Sequence, residues 1–567
     1  MTQIPAPWLG QYGEIPAHLD YFEGTMWEGV VKIARENPTR IAYDFMGKST
    51  SYAQFERNVI RCANALREIG VRRSDRVMVC LPNCPQAVEL FYAINAIGAL
   101  SVMVHPLSGE KEIEFYLKDS GCRVAVALDQ FYGKFAAVRD NTALNLLIVT
   151  SVADALPPLT AIGYKLTSGR KIPKIPESDT VFLWNSFLRN GTADTFDVCG
   201  KSADPAVILY SGGTTGVAKG IVLSNGNFNA LARQVIATNP MFRPGDRMLA
   251  LMPVFHGFGL GVSIHSMLFH GGRCLLVPRF TVKTLTKLLK KEKCNFIAGV
   301  PSLYEALLRE PSAQSLDLSS LKGVYSGGDS LSVGLKKRLD AFLKEHGSPV
   351  SVREGYGTTE CVTASCLTPC HTFREGSIGV PFPDMFYKIV KVDTEEEVPY
   401  GEAGEICLSG PTVMLGYLDR PEETAKTLRR HADGRTWVHT GDLGSMDKDG
   451  YVYFRQRIKR LIVTNGYNVY PSQIENVLDS MEEVHLSCVI GVPDPLRMQA
   501  VKAFVVLKEG IAPSEETKEK ILEQCRSYVA KYALPRQIEF RDSLPKTPVG
   551  KVAYRVLEEE ELKKSGK

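Results

Sequence analysis

The chain has 567 residues, of which 44% are hydrophobic and 23% charged, and its formal net charge is +4. This length exceeds what one hydrophobic core organises, so two or more domains are expected. The apolar content and near-neutral charge exclude a disordered chain and a protein that coats nucleic acid. Thirteen scattered cysteines without a CxxC pair favour a reduced compartment, and we predict a cytoplasmic protein.

Neither the N-terminus nor the most apolar stretch predicts a membrane segment. The opening MTQIPAPWLGQYGEIPAHLD lacks the basic start and apolar core of a signal peptide. Residues 249–269 are apolar but interrupted by His256, His265 and several glycines. They are expected to form a buried strand, loop and helix, so no membrane span is predicted.

Strand-like apolar runs alternate with amphipathic helical stretches along most of the chain. The alternation is typical of α/β layers with largely parallel sheets. The predicted strands are 74–83, 99–104, 124–128, 146–149, 207–210, 274–277 and 296–300, and the first two flank a predicted helix at 86–97. Residues 162–177 (IGYKLTSGRKIPKIPE) are basic and proline-dotted, which indicates a surface connection or an insert.

The pattern changes in the second half of the chain. Short strands with Gly and Pro punctuation at 373–418 predict a smaller β-rich subdomain. Beyond about residue 450, strands alternate with helices at 472–481 and 515–532, which predicts a compact α+β domain of roughly 110 residues. The predicted fold class is therefore α/β, with a large N-terminal domain of layered, mostly parallel sheets and a small C-terminal domain.

The stretch YSGGTTGVAKG, at residues 210–220, holds four glycines, three aliphatic hydroxyls and one lysine. It follows the buried run AVILY, so it leaves the end of a strand, where α/β proteins place ligand-binding loops. Backbone N–H groups of its glycines and the hydroxyls of Ser211, Thr214 and Thr215 can cradle an anion. Lys219 can supply a point charge to a polyphosphate.

Two alternatives apply to this loop. A Walker A loop needs glycine before its lysine and Ser or Thr after it, whereas Lys219 stands between Ala218 and Gly220, so that motif fails. A flexible surface turn remains open on local sequence alone.

Further motifs follow at GYGTTE (355–360) and HTGDLG (439–444). Tyr356 offers a face for stacking a nucleobase, Thr359 a donor to phosphate and Glu360 an oxygen ligand for Mg²⁺. Asp442 is predicted to lie on a turn, where its carboxylate can accept from both ribose hydroxyls. A plain Asx-turn is the alternative for Asp442.

The last two motifs are basic. RQRIKRLIVTNGYNVYP (455–471) supplies Arg457 ahead of a glycine turn, and LPKTPVGKVAYR (544–555) places Lys551 after a Pro/Gly turn. Lys551 alone is typical of a solvated surface lysine. The KLLKKEK run at 287–293 is predicted to be a solvated helix face, and no nucleic-acid partner is expected.

Together and in this order, the motifs closely resemble the adenylate-forming (AMP-binding) superfamily, within its acyl-CoA synthetase branch. The resemblance extends from about residue 26 to residue 555. It implies an adenylation domain at 1–458 with the ATP and acyl pockets, and a mobile C-terminal lid at 459–567 with the hinge near Lys459. The chain departs from the usual pattern at Ala218, Gln456 and Arg460, where proline, glycine and an acid are common.

The resemblance also implies the reaction and its cofactors. A carboxylate oxygen attacks the α-phosphate of ATP, pyrophosphate leaves, and the acyl-AMP is then attacked by a thiol. ATP, Mg²⁺ and coenzyme A are the expected cofactors, and catalysis consists of positioning and charge neutralisation. No oligomeric state is predicted.

Residue roles carry over from the matching motifs. The implied catalytic residues are Lys551, Thr359, Glu360 and His256, with Glu360 also the metal ligand. The implied nucleotide and CoA contacts are Ser211, Gly212, Gly213, Thr214, Thr215, Lys219, Gly327, Gly328, Asp329, Tyr356, Asp442, Arg457, Asn465 and Gly466. After adenylation the lid is expected to withdraw Lys551 and bring the Asn465–Gly466 turn toward the thiol.

The stretch MPVFHGFGLG, at residues 252–261, bears on the acid. Amino-acid-activating relatives carry an aspartate shortly after this aromatic residue, but here Phe255 is followed by His256, Gly257 and Phe258. An acid without an α-amino group, fatty or aryl, is therefore expected. His256 is interpreted as guarding the acyl pocket, with a core histidine as the alternative. The apolar run that follows suits either an acyl channel or core packing.

Three functions remain open on the sequence. The first is a fatty-acid– or aryl-CoA ligase. The second is an acyl-AMP ligase that loads the phosphopantetheine of a carrier protein. The third is a catalytically silent acyl-nucleotide-binding module, which the presence of Lys219, Glu360, Asp442, Arg457 and Lys551 argues against.

Overall fold

The computed structural model describes residues 5–211, 218–464, 467–494, 497–547 and 552–564. Its first sheet has eight strands and is mostly parallel, as apolar runs buried on both faces predict. In spatial order the strands are Gly416–Tyr417, Gly220–Ser224, Pro205–Tyr210, Leu100–Met103, Arg76–Cys80, Val124–Leu128, Leu146–Thr150 and Val181–Leu183. Gly220–Ser224 is antiparallel to both of its neighbours, Gly416–Tyr417 and Pro205–Tyr210, and the remaining pairings are parallel.

A second sheet of nine strands has a parallel centre and antiparallel edges. Its order is Val380–Pro381, Cys366–Leu367, Val352–Tyr356, Gly323–Ser326, Phe296–Gly299, Arg247–Ala250, Arg273–Leu276, Ile41–Phe45 and Lys48–Ser51. The α-helices around the two sheets are Met26–Glu36, Tyr52–Glu68, Pro85–Ala96, Glu110–Ser120, Tyr132–Val138, Pro158–Leu166, Trp184–Arg189, Asn225–Ala237, Ser266–Phe269, Val282–Glu292, Pro301–Arg309 and Val333–Glu345.

The main core joins these two sheets. Every residue of the helix Pro85–Ala96 is buried, and one hydrophobic cluster contains this helix together with strand residues of both sheets. Asn83, just before the helix, donates through Nδ2 to the carbonyl oxygens of Ala250 and Met252, each at 2.9 Å. The first sheet is thereby connected to the loop that leaves the second.

The predicted β-rich subdomain is larger than expected. Its antiparallel sheet contains Phe386–Val390, Gly404–Ser409, Thr436–Met446 and Leu428–Arg430, and Val452–Arg457 pairs with Thr436–Met446. The predicted end at residue 418 is wrong, because the helix Pro421–Thr427 interrupts the strand pattern before the chain re-enters the same sheet. The HTGDLG motif consequently lies in a long bulged strand and not on an isolated turn.

The C-terminal part has its own sheet, in the order Tyr467–Val469, Ile462–Thr464, Met498–Leu507 and Val484–Asp494, with Gln537–Phe540 parallel to Met498–Leu507. Its helices are Pro471–Asp479, Glu515–Tyr528 and Tyr554–Lys564, and two hydrophobic clusters fill its interior. The predicted α+β class is confirmed. The helix predicted to reach residue 532 ends at Tyr528, because Val529 is extended.

Residues 249–269 form the expected strand, loop and helix, but most of the helix is a π-helix, Phe258–His265. A Cβ on Gly259 would meet the carbonyl oxygens of Pro253 and Met252 at 2.1 and 2.3 Å. Only glycine permits this approach of the helix to the preceding loop. Within the described ranges no helix is long and apolar enough to cross a membrane.

Candidate active site

Two of the predicted motifs, the glycine-rich stretch and GYGTTE, begin where a strand of each large sheet ends. Tyr210 and Tyr356 close the strands Pro205–Tyr210 and Val352–Tyr356, and Ser326 closes Gly323–Ser326. The backbone N–H of Ser211 donates to the carbonyl oxygen of Lys219 at 3.1 Å, so the two described ends of the glycine-rich stretch lie side by side. Ligand sites in α/β proteins occupy this end of the strands.

Lys219 lies beside Tyr417 and Glu423. Its Nζ forms an ion pair with Glu423 and lies 4.8 Å from the centroid of the Tyr417 ring. The Tyr417 hydroxyl donates to Glu360 Oε1 at 2.8 Å. Burial and the nearby Glu360 carboxylate raise the pKa of Tyr417, so its hydroxyl stays protonated. Lys219 and Glu360, from separate motifs, are thus neighbours of one tyrosine.

A second group joins Tyr356, Asp442 and Arg457. The Tyr356 hydroxyl donates to Asp442 Oδ2 at 2.6 Å, and Arg457 Nε lies 2.8 Å from Asp442 Oδ1. Asp442 is buried, and its strand position pairs with Arg457. Burial and the Asp442 carboxylate raise the pKa of Tyr356 well above its usual value, so the phenol remains a donor. The three side chains present one carboxylate with two fixed donors.

Residues that the sequence analysis missed hold the Asp442 segment. Glu405 accepts from the Gly441 backbone N–H at 2.9 Å through Oε1 and from His439 Nδ1 at 2.8 Å through Oε2. Nε2 of His439 lies 2.9 Å from Nε2 of His431. All three side chains are buried. A lone carboxylate inside the apolar run GEICLS was the available signal, because a buried charge needs partners.

A small apolar cavity opens next to Gly355, the residue before Tyr356. Of the residues the structure describes, none that lines it is charged. The lining residues are Val235, Thr238, Asn239, Phe258, Val262, Tyr325, Ser326, Gly327, Gly328, Gly355, Thr363, Ala364, Cys366, Leu367 and Phe382. The hydroxyls of Ser326 and Thr363 are buried and have no hydrogen-bond partner among the described residues. The cavity therefore has mainly apolar walls, and two hydroxyls buried within those walls lack a partner in the described part of the chain.

His256 does not line this cavity but bonds to a residue that does. Its Nδ1 accepts from the backbone N–H of Phe258 at 3.2 Å, and the Phe258 ring lines the cavity. Val262 also lines it, whereas Leu260, Ile264, Met267 and Leu268 belong to the main core. Phe258 and Val262 belong to that core as well, so core packing describes every one of these residues and the acyl channel stays a prediction.

The opposite wall carries strained backbone. Val362 and Thr363 have φ values of 54° and 81°, a region that β-branched residues rarely adopt. A Cβ on Gly257 would lie 2.0 Å from Thr363 Oγ1, and one on Gly357 would lie 2.3 Å from the Thr363 carbonyl oxygen. The two glycines make room for this wall.

Of the remaining predicted site residues, some lie within the described ranges and some lie outside them. Thr359 begins a short 3₁₀ turn beside Glu360 and is half-buried, and Asp329 is exposed, with Oδ1 accepting from the Ser330 N–H at 2.9 Å. Seven others lie outside the described residues: Gly212, Gly213, Thr214, Thr215, Asn465, Gly466 and Lys551.

Glu354 precedes the GYGTTE motif and gives a pH-dependent prediction. Burial raises the pKa of its carboxyl from 4.5 to about 7, although Oε1 accepts from the Leu331 N–H at 3.1 Å. The folded state therefore keeps this proton to higher pH than the unfolded state, and the free energy of unfolding should fall by about 3 kcal/mol as pH rises through that interval.

We expect Glu354→Gln to remove this loss while retaining an acceptor for Leu331. Thermal unfolding midpoints of variant and wild type, compared at about pH 5 and about pH 8, should diverge in the variant's favour at the higher pH. Burial also raises the pKa of Asp479 to about 7. Its effect on the free energy of unfolding is the same in variant and wild type, so it cancels in the comparison. Parallel pH profiles would show that Glu354 is ionised without penalty.

Comparison with known proteins agrees with this geometry. The family model described as AMP-binding enzyme matches residues 30–418, and the model described as AMP-binding enzyme C-terminal domain matches residues 473–551. The chain is 35% identical to a long-chain-fatty-acid–CoA ligase of Bacillus subtilis (strain 168), over 99% of each chain. It is 33% identical to a feruloyl-CoA synthase of Amycolatopsis sp, over 92% of this chain and 96% of the other.

Among solved structures, the anthranilate CoA ligase AuaEII in complex with anthranoyl-AMP matches with a TM-score of 0.84 and 25% identity. The match covers 98% of this chain and 100% of that one. The predicted fold class and resemblance are confirmed. With both family models matched in order and relatives aligned over nearly the whole length, this chain belongs to the AMP-binding enzyme family.

Proposed function

We propose that this protein is an AMP-forming acid–thiol ligase that converts a fatty or aryl acid into its coenzyme A thioester. An oxygen of the acid attacks the α-phosphorus of ATP, and the bond to pyrophosphate breaks. The thiolate of coenzyme A then attacks the acyl carbon, the bond to AMP breaks, and the thioester forms. The observation that carries the proposal is the Tyr356–Asp442–Arg457 group, in which Tyr356 directly follows Gly355 of the wall of the uncharged cavity.

The nucleotide would occupy the end of the strands. Asp442 would accept from the ribose hydroxyls, with Arg457 and the Tyr356 hydroxyl fixing its orientation. Lys219 and the 211–219 stretch would hold the β- and γ-phosphates, and Thr359 the α-phosphate. Because Tyr356 and Arg457 already hold Asp442 before the substrate arrives, little reorganisation of this group accompanies nucleotide binding.

Mg²⁺ fits beside Glu360. Oε1 of Glu360 accepts from the Tyr417 hydroxyl, while Oε2 has no hydrogen-bond partner in the described part of the chain. The Glu360 side chain is half-exposed. Magnesium commonly takes one or two carboxylates and completes its shell with phosphate and water. When bound, the ion would neutralise charge on the phosphates.

Glu360→Gln keeps the shape of this side chain and removes its charge. We expect lower activity and a higher magnesium concentration for half-maximal rate, because the ion loses its protein carboxylate. The rate is measured across a magnesium titration, with Glu423→Gln as the control that removes a neighbouring charge. An unchanged magnesium dependence in Glu360→Gln would assign Glu360 a structural role.

The acid would occupy the cavity. Its apolar walls suit an acyl chain or ring. The absence of a carboxylate among the described lining residues argues against an ammonium-bearing substrate, since a buried ammonium needs a partner. The names of the relatives, a fatty-acid ligase and a feruloyl-CoA synthase, support the same two classes of acid.

ATP–pyrophosphate exchange tests this function. Fatty acids and aryl acids should each drive exchange, and coenzyme A should then accept the acyl group in preference to a holo carrier protein. Free α-amino acids should not drive exchange. Brisk exchange with any α-amino acid, or none with every fatty and aryl acid tried, would overturn the proposal.

A further inference from the structure

The helix Pro158–Leu166 turns its apolar side to solvent. Leu159, Ile162 and Leu166 are 86, 56 and 66% exposed. Their spacing of three and four residues places them in one stripe along the helix. Ala161 and Tyr164, on the other side, pack against the main core. The helix is therefore amphipathic with its larger apolar residues outside.

Another helix of the same chain shows the ordinary arrangement. Val282–Glu292 buries Leu285 and Leu289 and exposes its lysines, as the sequence predicted for the KLLKKEK run. The helix Pro158–Leu166 differs from it, because its leucine and isoleucine side chains face solvent. A contiguous exposed apolar patch on a folded protein marks an interaction surface.

The segment that carries the stripe is positively charged, with Asp154 and Glu177 just outside it. Residues 157–176 contain four Lys or Arg and no Asp or Glu. Arg170 and Lys174, which follow the helix, are exposed. Large apolar side chains beside solvated cations are typical of segments that lie in the interface of a membrane with anionic lipids.

We propose that residues 157–176 dock this protein onto an anionic lipid surface, with Leu159, Ile162 and Leu166 inserted among the acyl chains and Arg170 and Lys174 at the headgroups. The positive charge selects this partner over a second copy of the chain. In a two-fold contact the stripe would meet itself and bring two sets of like charges together. The docking stands apart from the proposed function, although a ligase held there would draw a fatty acid from the layer into which that acid partitions.

The test uses flotation of the full-length protein with phosphatidylcholine vesicles, with and without phosphatidylglycerol, in the absence of ATP. Wild type should bind the anionic vesicles. The affinity of the triple variant Leu159→Glu/Ile162→Glu/Leu166→Glu for these vesicles should fall by about 10-fold at least. Three inserted side chains are lost, and three negative charges are added. The matched control is Val392→Glu/Tyr400→Glu/Ile511→Glu, which makes the same change at exposed apolar residues elsewhere and should bind like wild type.

A second variant tests the charge separately. Arg170→Ser/Lys174→Ser should lower binding to anionic vesicles about 10-fold and leave the weak binding to neutral vesicles unchanged. Both variants should retain wild-type pyrophosphate exchange with a short, water-soluble acid, which confirms their folding. Exchange and flotation are independent readouts, so failure of the proposed function would leave the docking result intact.

Three outcomes would overturn the proposal. Wild type fails to float with anionic vesicles, or the triple variant floats as well as its matched control does. The third is a concentration-dependent dimer of wild type, absent in the triple variant, with no vesicle binding by either. That result would assign the stripe to a second copy of the chain.

Discussion

We expect Lys551→Ala to lower the rate of acyl-AMP formation by roughly 100- to 1,000-fold, the effect of removing one preorganised donor worth about 3–4 kcal/mol. In the proposed reaction, Lys551 bridges the carboxylate and the α-phosphate as charge shifts between them. Thioester formation from pre-formed acyl-AMP should stay near the wild-type rate, since we expect the C-terminal domain to have withdrawn Lys551 by then. Pyrophosphate exchange measures the first step, and coenzyme A with synthetic acyl-AMP measures the second.

The control for this experiment is Lys563→Ala, which removes an exposed lysine from the helix Tyr554–Lys564. It should leave both half-reactions unchanged. If Lys551→Ala damages the two half-reactions equally, the lysine acts on the fold of the C-terminal domain and not on the transferring phosphate.

The second large effect is expected at the proposed hinge. Arg457 is held by Asp442 at 2.8 Å, and Arg460 is held at 2.5 Å by Glu475, which lies in the C-terminal helix Pro471–Asp479. Ile458 and Lys459 are thus the residues between two anchored side chains. A hinge absorbs its φ/ψ change at one or two such positions.

Lys459→Pro should therefore trap one orientation of the C-terminal domain, because proline fixes φ near roughly −65°. The 3₁₀ conformation of Ile458–Arg460 tolerates that φ, so the variant should fold. One half-reaction should persist and the other fall by about 100-fold or more, since each needs its own orientation. Pyrophosphate exchange measures the first half-reaction, and acyl transfer from pre-formed acyl-AMP measures the second. The two rates are compared in the same preparation of the variant.

The variant Lys459→Ala distinguishes the effect of restricting the backbone from the effect of losing the lysine side chain. Burial and the positive charges of Lys219, Arg555 and Arg457 lower the pKa of Lys459, so removing the ammonium relieves repulsion and should be mild. Near wild-type rates for both half-reactions in Lys459→Pro would place the hinge, and the domain boundary, elsewhere.

The sequence predicted what is local. Runs such as Val124–Leu128 and Leu146–Thr150 are apolar on both faces, and a buried parallel strand needs only that. The motif residues Tyr356 and Asp442 were found because their neighbours mark loops and strand ends.

Pairings across the fold could not be predicted in the same way. Glu423 meets Lys219, and Glu405 meets His439, only after separate segments pack together. The π-helix Phe258–His265 was also missed, because its apolar pattern matches an α-helix and the close approach of Gly259 to the preceding loop depends on how that loop folds back.

The left-handed backbone at Val362 and Thr363 bears on any attempt to change the acid that this protein accepts. Each such residue stores about 1–3 kcal/mol, which the surrounding packing must hold. Enlarging the cavity from this side would release that energy and let the wall collapse, and a side chain at Gly257 or Gly357 would push it outward. Engineering of substrate range should therefore start on the relaxed side, at Val235 and Phe382, and leave the 362–363 segment and its two glycines as they are.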